Sequence, residues 1–232
     1  MDAIAANLEE IRSRLTAAAE RAGRDPASVR LVAVSKTYPA EAVGAAASTG
    51  QRIFGESRVQ EAREKIPACP SDLEWHFIGH LQKNKVRQAL PLFPFFHSID
   101  SAALAGAIDR IAGETGAKAQ GLLEVNVSGE ESKHGFTPDE LRAQFPALAK
   151  LPHLRIRGLM TMAPYSDNPE DARPVFRKLH ELRDELQSAH QHPLPELSMG
   201  MSGDFEPAIE EGATLVRVGS SIFGTRPRPN KE

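Results

Sequence analysis

Leu31-Val32-Ala33-Val34-Ser35-Lys36 is an apolar run that stops on an amine, and Thr37-Tyr38-Pro39 then turns the chain away. A short run rich in β-branched residues and closed by a proline turn reads as a strand buried on both faces, the kind that parallel sheets require. Its lysine stands at the C-terminal mouth of that strand. Partial desolvation there lowers the pKa of an amine and makes it available for imine formation. Position alone equally suits a lysine whose ammonium reaches out into water, so the neighbours must decide.

Outward from this strand the chain alternates. Ile4, Leu8, Ile11 and Leu15 recur at helical spacing and predict an N-terminal helix running to about Ala22 and stopped by Gly23. Strands are then expected over 31–35, 52–54, 74–78, 95–98, 121–127, 155–159, 196–199 and 214–218, with helical segments over 40–48, 59–65, 85–90, 102–112, 138–149 and 205–211 between them. Val175, Phe176, Leu179, Leu182 and Leu186 mark a further long amphipathic helix, with Asn168-Pro169 as its start signal. Eight such units in 232 residues predict an α/β chain closed into a single (β/α)8 TIM-type barrel with an extra N-terminal helix. An open doubly wound sheet is the competing architecture. No linker divides the chain, so one domain over 1–232 is expected, with 226–232 a frayed tail.

Bulk properties narrow the function. With 41% hydrophobic residues the chain can bury a large core, and a net charge of −3 with interspersed signs gives no footprint for nucleic acid or an anionic membrane. No basic segment followed by an apolar stretch opens the chain and no membrane-length apolar run follows, so a cytoplasmic location is expected. Cys69, between Pro67 and Pro70, is the single cysteine and reads as structural.

If the sheet closes, all strand C-termini share one mouth. Lys36, the Met199-Gly200-Met201-Ser202-Gly203 loop and the Arg217-Val218-Gly219-Ser220 segment then meet there, and pairing of the last strand with the first brings Arg217 near Lys36. The loops after strands seven and eight are where barrels often hold a phosphate. Gly219 lets backbone approach an anion closely, and Ser202 and Ser220 supply hydroxyl donors. An imine-forming lysine beside a phosphate cradle describes a site for pyridoxal 5′-phosphate. Arg217 would face its pyridine nitrogen, and a guanidinium can only donate there.

The segments LVAVSKTYP, FGESRVQEA, WHFIGHLQKNKVR, HSID, LLEVNVSGEESKHGF, IRGLMTMAP and LSMGMSGDFEPAIEEGATLVRVGSSIFGTR resemble, in order and across nearly the whole chain, the pyridoxal phosphate homeostasis protein family. That resemblance implies a barrel similar to the N-terminal domain of alanine racemase that binds pyridoxal 5′-phosphate (PLP) as an internal aldimine. It also implies a role in vitamin B6 homeostasis, buffering the cofactor or delivering it to PLP-dependent apo-enzymes, with no well-established catalytic activity. Carried over by position, Lys36 is the Schiff-base lysine, Arg217 the partner of the pyridine nitrogen, and Ser202, Gly219 and Ser220 the phosphate-binding positions. Met199 and Met201 are placed as pocket-lining residues. Ser57 stands where the family usually has an asparagine near the cofactor ring, Arg58 follows it where a tyrosine is usual, and His80 stands where a proline is common.

A PLP-dependent amino-acid racemase of low activity is the main alternative. Two-base racemisation needs a second acid/base opposite the lysine, and neither Tyr38 nor Tyr165 matches it; the chain ends before the second domain that supplies it in alanine racemase. With that domain's dimer interface missing, a monomer is expected. An aldolase using Lys36 without a cofactor would need Glu56 or Glu124 as base. A vestigial cavity in a pure interaction protein would form no imine. His76, His80, His190 and His192 are assigned to surface or packing roles, so no metal is expected. The loop from Gly129 to Gly135, with Glu130, Glu131, Lys133 and His134, reads either as a lid over the mouth or as a plain exposed loop.

Overall fold

The structure is a computed structural model that describes residues 2–130 and 133–224. The tail expected from Arg226 lies outside the described residues, as does Glu131 of the expected lid. Eight parallel strands pair in chain order, and the last closes onto the first. They are β1 (Arg30–Val34), β2 (Ile53–Glu56), β3 (Glu74–Phe77), β4 (Phe95–Ile99), β5 (Ala119–Glu124), β6 (Leu154–Met160), β7 (Glu196–Ser198) and β8 (Leu215–Val218). The helices are α1 (Asp2–Arg21), α2 (Ala40–Ser48), α3 (Val59–Lys65), α4 (Val86–Ala89), α5 (Ala102–Thr115), α6 (Pro138–Leu148), α7 (Arg173–His190), α8 (Phe205–Glu210) and α9 (Ser220–Phe223). This is the (β/α)8 barrel with an added N-terminal helix that the alternation predicts.

Side-chain alternation along each strand splits the interior in two. Outward residues such as Phe54, Phe77 and Phe96 share one large apolar cluster with Phe145 and Phe176 of the helices, all fully buried. Inward residues Val32, Phe95, Leu122, Met160 and Leu215 form a separate small cluster in the barrel lumen. Helix α1 buries Leu8, Ile11 and Leu15 and packs on α2, α8 and α9, the helices flanking the seam where β8 meets β1. Asn7 Nδ2 donates to Ile222 O at 2.9 Å, and Arg14 pairs with Glu206. Strands β6 and β7 approach so closely that a Cβ on Gly158 would lie 1.8 Å from Glu196 O, which reserves that position for glycine.

Three boundaries move for local reasons. The helix expected over 85–90 is split into a 3₁₀ turn, Lys83–Lys85, and α4. The fifth strand begins earlier and stops at Glu124, because Val125 makes only an isolated bridge to Phe136. The Asn168 side chain caps a 3₁₀ turn, Pro169–Ala172, by accepting from Glu170 N, and α7 begins after it with Pro174 in its first turn, where a missing N–H costs nothing.

Candidate functional site

Lys36 follows β1 in a turn held from several sides. Tyr38 N donates to Ser35 O at 3.0 Å, and Lys65 Nζ donates to the same carbonyl at 2.9 Å. Thr37 has φ +72°, and its N–H donates to Glu61 Oε1 at 2.6 Å. A β-branched residue in the left-handed region is strained, and such strain persists only where the surroundings impose it. Beneath the turn, Glu56 Oε1 accepts from Ser35 Oγ and from Lys65 Nζ, both at 2.7 Å. Burial raises the Glu56 pKa, opposed by those two donors. Fully buried and bonded to Lys65, Glu56 is poorly placed to serve as a substrate base.

The loop after β7 and the segment after β8 meet as expected. Ser220 Oγ lies 3.2 Å from Ser202 Oγ, and Gly219 N–H points at Ser202 Oγ at 3.4 Å. Gly200 takes φ +90°, and a Cβ there would sit 2.6 Å from Ala208 Cβ, so only glycine lets the loop fold against α8. Tyr38 ties this cradle to the β1 turn: its hydroxyl donates to Gly224 O at 2.6 Å, and its ring lies 5.0 Å from that of Phe223.

Arg217 is buried in the lumen and pairs in register with Val32, four residues before Lys36. Its backbone therefore lies below the turn that carries Lys36, with its long side chain in the lumen. Burial pulls its guanidinium down to about 10, partly offset by Glu124 and Asp204, so it stays charged at neutral pH. Its Nη2 donates to Thr161 O at 3.1 Å and its Nη1 to Ser198 Oγ.

From Ser198 a hydrogen-bonded column runs down the lumen. Ser198 Oγ lies 2.8 Å from His97 Nδ1, His97 Nε2 lies 2.8 Å from His76 Nδ1, and His76 Nε2 lies 2.9 Å from Glu74 Oε1. An arginine can only donate and a carboxylate can only accept, so with both rings kept neutral by burial the bonds between the two ends run in one direction. Arg217 donates to Ser198, Ser198 to His97, His97 to His76 and His76 to Glu74. Both rings are therefore neutral Nε2–H tautomers. Burial lowers the pKa of each, that of His97 well below the usual range. The bond to His76 lowers the pKa of Glu74.

The remaining expected residues scatter. Ser57 is half-buried at the end of β2, against Gly79. Met199 lies on the opposite face of β7 from Ser198, fully buried in the outer apolar cluster, whereas Met201 is part-exposed in the loop beyond it. Glu124 ends β5, and burial together with the charge of Asp100 raises its carboxyl to about 7. Tyr165 is exposed and bonded to Asp167, away from any base role. Sequence reasoning missed His97 and Ser198, and read His76 only as packing. The available signal was polar side chains at lumen-facing positions of otherwise apolar strands.

The donor set tests the expected cofactor. Two hydroxyls and a backbone amide suit a phosphate, a guanidinium with no acceptor suits an unprotonated pyridine nitrogen, and an amine at a strand mouth suits an aldehyde. These groups fit a phosphorylated pyridine aldehyde.

Comparison with known proteins points the same way. The model of the alanine racemase N-terminal domain matches residues 1–227. The pyridoxal phosphate homeostasis protein of Aquifex aeolicus is 48% identical over 220 residues, 94% of this chain and 96% of that protein. The solved structure of PipY from Synechococcus elongatus with PLP bound is 42% identical with a TM-score of 0.83, over 95% of this chain and all of that one. Alanine racemase of Clostridium difficile, 17% identical with a TM-score of 0.74 over 58% of its own chain, shares the fold.

Proposed function

This chain belongs to the family of pyridoxal phosphate homeostasis proteins, and from that premise we propose that it holds pyridoxal 5′-phosphate at the barrel mouth and buffers or delivers it. The observation that carries the reading is the meeting of Ser202, Gly219 and Ser220 at the mouth of a lumen whose polar column ends on Arg217. The bound cofactor supplies an aldehyde that condenses with a primary amine and releases one water. Lys36 provides that amine, and the strained turn at Thr37 holds it in place. Ser202, Ser220 and the Gly219 amide bind the phosphate, Ser57 borders the ring, and Met199 anchors the loop from the outer core.

Arg217 donates to the pyridine nitrogen and leaves it unprotonated, which weakens the ring as an electron sink. The site is therefore suited to retention more than to carbanion chemistry. No described helix is long and apolar enough to cross a membrane. We place the protein in the cytoplasm as a single-domain monomer that passes PLP to PLP-dependent apo-enzymes. Ser202→Ala with Ser220→Ala should weaken retention of pyridoxal phosphate more than that of pyridoxal. Equal losses would remove the cradle from the account.

A further inference from the structure

His80, Asp100 and His134 are 20 and 34 residues apart in sequence, with no local spacing to connect them, yet they come together on the rim of the mouth. They follow β3, β4 and β5, three consecutive strands of the barrel. One ligand atom from each lies within 4.8 Å of the other two. His80 Nδ1 is 2.9 Å from Asp100 Oδ2, and the His80 and His134 rings stack at 4.4 Å with an interplanar angle of 22°.

We propose that these three side chains bind a divalent transition-metal ion. The donor set favours zinc or a neighbouring ion over magnesium or calcium, because two imidazoles and one carboxylate suit borderline cations, whereas hard cations take oxygen ligands. Metal–ligand bonds of about 2.0–2.1 Å put neighbouring tetrahedral ligands roughly 3.4 Å apart, so ligand atoms within 4.8 Å of one another reach an ion with shifts of at most about 1.4 Å. His80 and His134 are exposed and can supply that movement.

The carboxylate is the fixed member. Asp100 is mostly buried, and Ser101 Oγ donates to its Oδ1 at 2.9 Å, which leaves Oδ2 aimed at His80. A carboxylate already fixed in this way joins two imidazoles as a ligand at little ordering cost. Ser98 Oγ donates to Gly79 O and ties the ends of β3 and β4 together beneath the cluster. The lysine next to His134 is engaged elsewhere. Lys133 pairs with Glu130 and donates to Met162 O at 3.2 Å. Both histidines are exposed, so an ion reaches the cluster directly from solvent. Three protein ligands leave positions open for water or for a small carboxylate or amine.

Equilibrium dialysis of the whole protein against micromolar zinc, with bound metal counted per chain, tests the site. One equivalent is expected in the unsubstituted protein and in Lys36→Ala, with no retention of magnesium under the same conditions. His80→Ala and His134→Ala should each weaken zinc binding by more than about tenfold, while circular dichroism shows the fold unchanged. Cobalt should substitute and give visible d–d absorption that both variants lose. The proposal is overturned by a protein that retains no zinc or by retention that both histidine variants leave intact. Zinc that disappears with Lys36→Ala also overturns it, since such an ion would belong to the cofactor.

Discussion

The two faces of the barrel wall do different work with the same strands. Outside, between strands and helices, the contacts are mostly apolar and include Phe96, Phe145 and Phe176, with the buried Ser35, Glu56 and Lys65 group as an exception. Inside, only five buried apolar residues cluster, and beside them a chain of hydrogen bonds leads from Glu74 at the base to Arg217 below the mouth. The outer face supplies stability, because close-packed apolar burial is most of its content. The inner face supplies orientation. Its polar groups contribute little net free energy but fix where Arg217 points, and each is costly to leave unpaired.

That contrast is sharpest at single residues. Phe176→Ala should cost about 3–5 kcal/mol in urea unfolding and leave PLP affinity nearly unchanged. A large loss of PLP binding in that variant would break the separation. His97→Leu should cost less, about 1–3 kcal/mol, because it strands Ser198 and His76 without partners. It should also weaken PLP retention by loosening Arg217. Changing His76→Leu as well should cost less than the sum of the two single changes, since the column acts as a unit. Additive losses would show that the two histidines are independent packing residues.

The fold and the site were legible to different depths. Strand-and-helix alternation, the helix stop at Gly23, and Lys36, Ser202, Gly219 and Ser220 at strand ends are local signals, and the closed barrel converts them directly into a mouth. The column was hidden because its links span 21 and 101 residues, and only barrel closure sets His97 beside Ser198. Strand pairing does carry part of the site, since β8 pairs with β1 and sets Arg217 beside Val32 on the strand that leads to Lys36. Thr37 gave no warning either. A β-branched residue is the last type that sequence preference would put at positive φ, and Glu61 with the Tyr38 turn imposes it.

Acid should separate the faces further. Below the usual histidine value of 6.5, the unfolded chain takes up protons that buried His76 and His97 refuse, so the unfolded state binds more protons and stability falls as pH drops. Glu124 works in the opposite direction. Its carboxyl holds a proton up to about 7 where the unfolded chain releases it near 4.5, so it makes stability fall as pH rises through that window. Urea midpoints measured against pH should fall less steeply below about 6.5 in His97→Leu, and should lose a downward slope with rising pH between about 4.5 and 7 in Glu124→Gln. Unchanged profiles would mean these groups titrate alike in both states.

The smallest effect belongs to the turn. Thr37→Gly should be neutral or gain up to about 1 kcal/mol, because relief of the left-handed strain slightly exceeds the added entropy of the unfolded chain. A clear destabilisation would show that the Thr37 side chain holds the turn in a way its backbone does not.

Borohydride reduction of the PLP-loaded protein followed by peptide mass mapping tests the central claim most directly. The account predicts one pyridoxyl group per chain on the peptide that carries Lys36, and none after Lys36→Ala. A label on another lysine such as Lys65 or Lys133, or no label at all, would contradict it.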